Sequence, residues 1–160
     1  MALSIPQPGN FLGFSIELSI ANVILGKSAG TLKPQFLNYL ANIQNRAGRG
    51  PVVRVGGNTQ DSSTLYLDSF EGGDNIQKIK IGQDKYGNAI NTPVINYSVD
   101  LFYVMANITS LVGTEWFFGL AFNESDTQIL THNAPVVAEY AQKILGSSLR
   151  GLIVGNEPDL

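Results

Sequence analysis

Residues Leu149 to Asp159 read LRGLIVGNEPD. The apolar part is too short for a helix, and it lies between the turn residues Gly146-Ser147-Ser148 and Gly155, so it reads as a strand buried on both faces. An asparagine, a glutamate and a proline follow at once. A buried strand that ends in an amide and a carboxylate is the arrangement in which parallel-sheet folds place ligand-handling groups, just beyond the strand's carboxyl end.

Upstream, the same pattern recurs three times. Phe11 to Ser19 (FLGFSIELS), Pro51 to Gly57 (PVVRVGG) and Glu115 to Asn123 (EWFFGLAFN) are short apolar-leaning runs, each closing on polar residues or glycines. Helical patterns separate them. Pro34 opens the first, with Phe36, Leu40, Ile43 and Ala47 stepping along one face until Gly48 stops it. Ser98 is expected to cap the second, whose Leu101, Phe102, Met105, Ile108 and Val112 share a face. Asp126 is expected to cap the third, restarted or kinked at Pro135 and carrying Val136, Val137, Tyr140, Ile144 and Leu145. Residues 58 to 97 break the rhythm. Gly72-Gly73-Asp74-Asn75 and Tyr86-Gly87-Asn88 are turn chemistry, and Gln77 to Gly82 alternates like an exposed strand, which predicts an excursion containing a β-hairpin.

Four βα-type units give an α/β fold with parallel strands. Two architectures fit: an open doubly wound sheet, or strands 1-4 of a (β/α)8 barrel, which needs about 250 residues when whole. The strand ends separate them. The first strand leads into Ser19-Ile20-Ala21-Asn22 and not into a Gly-x-Gly-x-x-Gly turn, and Gly56-Gly57 has neither a third glycine nor a Walker lysine. Instead the ends carry Glu17, then Asn58 and Asp61, then Asn123-Glu124, then Asn156-Glu157. Amides and carboxylates suit a neutral polyhydroxylated ligand better than a nucleotide.

Composition bounds the chemistry. The chain has 160 residues, enough for one domain spanning 1-160, with 44% hydrophobic and 14% charged residues. Ten Lys+Arg against thirteen Asp+Glu give a net charge of −3, which argues against nucleic acid as a partner. No apolar run has the roughly 18–20 residues of a membrane span. With no cysteine and a single histidine, His132, no cysteine-ligated zinc or multi-histidine metal site can form, and the sequence implies no cofactor. Three sequons, at Asn96, Asn107 and Asn123, suggest an extracellular setting, although no signal peptide is visible at Met1 to Gly9.

The motifs FSIE, RVGGNTQD and GNEPD resemble those of the clan of retaining glycoside hydrolases built on (β/α)8 barrels, and more specifically glycoside hydrolase family 79, the family of β-glucuronidases and heparanase. The resemblance spans the chain, but the 58–97 excursion carries none of it. It implies that Glu157 is the general acid/base and that Asn156 bonds the sugar's 2-hydroxyl. Glu17, Asn58 and Asp61 would line the sugar pocket. Arg54, on the Val52 side of its strand and pointing inward, would support the site from beneath the nucleophile. The family takes that nucleophile from strand seven, and the four strands here supply none. Glu124 and Asp159 do not occupy its place. The expectation is therefore the N-terminal half of a catalytic barrel: it would carry the acid/base without its partner, be inactive alone and associate with itself through its open edges.

Blander readings stand beside these. Glu157 and Glu17 can be solvated glutamates, Asn58 and Asp61 can build an Asx turn, and Arg54 can serve a buried network only. Trp116, Phe117 and Phe118 read as strand core, and His132 as an exposed helix residue. A carbohydrate-binding or structural protein without chemistry is the alternative from another class.

Overall fold

The computed structural model of the chain describes residue 5 and residues 7–79, 93–122 and 133–157. Its centre is a four-stranded sheet of β1 (Gly13–Glu17), β4 (Val52–Gly56), β8 (Glu115–Leu120) and β9 (Leu149–Val154), in that spatial order and parallel throughout. Spatial order equals chain order, so the sheet winds in one direction and has no switch point. That is how the first half of a (β/α)8 barrel is wound, whereas a doubly wound sheet reverses.

Each crossover carries a helix. α2 (Pro34–Ala47) joins β1 to β4, α3 (Asp100–Val112) precedes β8, and α4 (Ala134–Leu145) precedes β9. The proline-first, glycine-last reading of α2 holds, because Gly48 takes the left-handed conformation with φ 73°. In α3 all five residues of the expected apolar face are buried. Its cap differs from expectation. Ser98 is the last residue of a strand, β7 (Val94–Ser98), its backbone N–H spent on Asn75 O at 2.9 Å, and the N-cap is Val99 with no side-chain bond. Asp100 in the first turn supplies the negative charge that favours the helix N-terminus. The proposed cap Asp126, together with Glu124 and His132, lies outside the described residues.

The first strand is shorter than its apolar run. Phe11 and Leu12 stay exposed before it, and Leu18–Ile20 form a 3-10 turn after it. Short α1 (Ala21–Ile24) and a β2–β3 pair (Gly26–Ser28, Thr31–Leu32) then lead to α2. The excursion is more than a hairpin. β6 (Ile76–Ile79) and β7 (Val94–Ser98) pair antiparallel as expected, but β5 (Ser63–Tyr66) joins the other side of β7 in parallel. Tyr97 of β7 ties this sheet to the core, its ring 5.7 Å from Phe118 and 6.3 Å from Phe102, which are themselves 4.8 Å apart. Burial pushes the Tyr97 phenol far above the usual tyrosine range. Asn96 and Asn107, two of the sequon asparagines, lie within β7 and α3.

Strand alternation divides the parallel sheet into two unlike faces. Ile16, Val53, Val55, Trp116 and Phe118 point to the helices and are buried. In register on the other face stand Ser15, Arg54 and Phe117, with Phe117 reaching Gly151 of β9. Of the aromatic run, then, Trp116 and Phe118 are core, as read, while Phe117 is 36% exposed.

Candidate active site

Parallel strands in register deliver their carboxyl ends to one rim, and there the polar residues meet. Glu17 ends β1. Its Oε2 accepts the Asn58 backbone N–H at 3.0 Å, and its Oε1 accepts the Thr59 N–H at 3.0 Å and the Thr59 hydroxyl. The carboxylate thus caps the 3-10 turn Asn58–Ser62 that follows β4. Gly57 makes the approach possible: a methyl on its Cα would collide with the Glu17 carboxylate, and its φ of 91° is a left-handed value that glycine adopts freely.

Asp61 spans the next two strands. Its Oδ1 accepts the Phe122 N–H at 3.0 Å, beyond β8, and its Oδ2 accepts the Asn156 N–H at 2.9 Å, beyond β9. The Asn156 side chain is fixed at both ends. Its Nδ2 donates to Asn58 Oδ1 at 2.8 Å, and its Oδ1 accepts from Arg54 Nη2, also at 2.8 Å. Five of the six residues singled out in the sequence, Glu17, Arg54, Asn58, Asp61 and Asn156, are thereby joined in one network.

Glu157 stands outside it. It is exposed and has no hydrogen bond among the described residues, and its φ of 49° makes it the one non-glycine residue with positive φ among them. A glutamate held in that region is sterically disfavoured, and such strain concentrates at functional sites. The chain turns sharply after the pinned Asn156.

Gln60 is what sequence reasoning missed. It is fully buried beneath the rim, and its amide uses both ends. Nε2 donates to Leu120 O and to Ile153 O, each at 3.2 Å, while Oε1 accepts from Arg54 Nη2 at 3.0 Å and Gly57 N at 3.2 Å. One side chain therefore stitches β4, β8 and β9 together at their carboxyl ends. Space for it comes from two glycines, since a Cβ at Gly56 or Gly119 would collide with the Gln60 amide oxygen. The detectable signal was Gly119 itself, a glycine inside the aromatic strand EWFFGLA, which marks the close approach of another group. Arg54, on the open face, keeps a buried Nε with no partner among the described residues.

Chemically, the rim offers donors and acceptors at fixed positions beside a carboxyl group, that of Glu157, with no hydrogen bond among the described residues. Among the described residues no cluster of His, Cys, Asp and Glu could hold a metal ion.

No protein-family model matches the sequence, and no curated protein does. Among solved structures, the chain is similar to a 4-O-α-L-rhamnosyl-β-D-glucuronidase from Fusarium oxysporum in complex with Rha-GlcA, with a TM-score of 0.63 at 20% identity over 92% of this chain. This chain spans 28% of the length of that enzyme. At that identity the likeness establishes the fold.

Proposed function

We propose that the chain is part of a retaining glycoside hydrolase that acts on β-glucuronides or related O-glycosides and that it contributes the acid/base Glu157. The observation that carries this is the contrast at the rim: Asn156 immobilised by three groups, and Glu157 beside it with no hydrogen bond among the described residues and a strained φ. A general acid must reach the glycosidic oxygen, and the amide that reads the neighbouring hydroxyl must not move. In the first step Glu157 would donate its proton to the leaving oxygen. In the second it would take one from water.

The other rim carboxylates do not fit the nucleophile's place. A retaining enzyme needs a second carboxyl group about 5 Å from the acid and free to attack. Glu17 has three hydrogen-bond donors on its two oxygens, and Asp61 has two. Such carboxylates are weakened as nucleophiles, but each keeps a lone pair for a sugar hydroxyl. Glu17, Asn58 and Asp61 accordingly serve substrate binding, Arg54 supports Asn156 from below, and the nucleophile comes from outside these residues. The fold's similarity to a glucuronidase supports the substrate class. The three sequons support an extracellular setting, with Asn107 exposed on α3.

The test is to offer the 160-residue chain an aryl β-glucuronide and to follow binding and hydrolysis together. Binding without turnover, lost on Asn156→Ala, is expected. Turnover abolished by Glu157→Gln would place a nucleophile within this chain and overturn the division of labour. Binding that survives Asn156→Ala and is indifferent to Glu157 would leave the non-catalytic carbohydrate-binding reading.

A further inference from the structure

Leu120 closes β8 in the core at 9% exposure, Ala121 just after it is 5% exposed, and the next residue, Phe122, is 41% exposed. An aromatic ring left in water at the end of a strand is ordinary by itself. Its position here is not arbitrary. The Asp61 carboxylate holds the Phe122 N–H on one oxygen and the Asn156 N–H on the other, so the two residues are set side by side by the same group. Phe122 also packs against Gly155, where a Cβ would stand 3.3 Å from the Phe122 Cβ and 3.9 Å from its Cδ1. With glycine at position 155, the ring has nothing between it and the backbone that leads into Asn156 and Glu157.

The rim thus joins one exposed aromatic ring to a row of hydroxyl-reading amides and carboxylates. A pyranose has the matching character. Its hydroxyls radiate around the edge, and a β-glucuronide with equatorial substituents presents axial C–H bonds on its faces. We propose that Phe122 is the stacking platform of the site, a specificity-determining residue that receives the C–H face of the pyranose whose hydroxyls Asn156 and Asn58 bind. This rests on the glycosidase reading and adds to it the way the ring is oriented: edge to the amides, face to Phe122. Aromatic surface selects for the faces of a pyranose, which an acyclic polyol of the same hydroxyl count does not have.

The probe is methyl β-D-glucuronide, which has no aromatic ring of its own, titrated into the 160-residue chain in its soluble form and followed by proton NMR. Stacking shifts the sugar C–H resonances upfield through the ring current, and that readout in the unmodified chain depends on no variant. Phe122→Tyr is expected to keep both the shift and the affinity. Phe122→Leu is expected to lose the shift and to bind about tenfold more weakly, with circular dichroism checking the fold. Binding without any upfield shift, unaffected by Phe122→Leu yet lost on Asn156→Ala, overturns the platform and leaves the sugar site standing. No binding by the unmodified chain removes the glycosidase reading and the platform with it.

Discussion

Phe117 and Phe118 are adjacent in β8, one step apart in the strand's alternation, and they live in different surroundings. Phe118 is fully buried against Tyr97 and Phe102 on the helix-covered face, and Phe117 lies 36% exposed on the open one. The same division runs along β4, where Val53 and Val55 are core and Arg54 reaches across to Asn156 and Gln60. One face of the sheet holds the chain together. The other, with the rim above it, holds the polar network, so apolar packing and polar contacts are separated residue by residue along the same strands.

That separation makes a ranked set of expectations. The largest effect belongs to the covered face: Phe118→Ala leaves a void beside the rings of Tyr97 and Phe102 and should cost about 3–5 kcal/mol in urea unfolding. A loss below about 1 kcal/mol would mean that this face is no core at all. Next is the rim. Gln60→Ala strips partners from Gly57 N, Leu120 O, Ile153 O and the Arg54 guanidinium, and should cost about 2–3 kcal/mol. Gln60→Met, which keeps the volume and loses the hydrogen bonds, should do no better, and recovery in that variant would show that packing matters there and bonding does not.

The smallest effect is on the open face, where Phe117→Ser should change stability by at most about 1 kcal/mol. Its consequence should appear in mass instead. β1 and β9 are the outer strands of the described sheet, and an open groove of about 460 Å³ is lined by Phe117 together with Phe11, Phe14, Val52 and Arg54. Exposed edges and apolar surface favour self-association, and light scattering should show Phe117→Ser shifted toward the monomer relative to the parent chain. A parent chain that is already monomeric contradicts this.

The parts of the fold that were legible in the sequence are those whose signal is local. α2 and α3 carry their own periodicity, and β4 and β9 are apolar runs bracketed by glycines. β5 was not legible, because STLY becomes a strand only by pairing with β7: Ser63 lies opposite Ile95, across a long stretch of chain. Ser98 looked like a cap because serine usually is one, but β7 claims it first. At the site, Glu17, Asn58, Asp61 and Asn156 could be named from their places after strands. The function of Gln60 could not, since it exists only where two glycines on different strands leave a hole of the right shape.

The Gln60 amide also has a history within each molecule. Its partners Leu120 and Ile153 lie 60 and 93 residues downstream. During synthesis the amide therefore waits, solvated, while the helices and the excursion take shape from nearer contacts, and non-local pairings of this kind close late. Only when β9 has emerged does the last carbonyl arrive, and in the same event Asp61 gains Asn156 and Arg54 gains its asparagine. A nascent chain stalled before residue 149 would already have the residues for the Glu17, Arg54–Gln60 and Asp61–Phe122 contacts, and would lack every bond to Ile153 and Asn156. The half of the rim that holds Asn156 is thus closed by β9, after the half that holds Glu17 and Gln60 has its residues in hand.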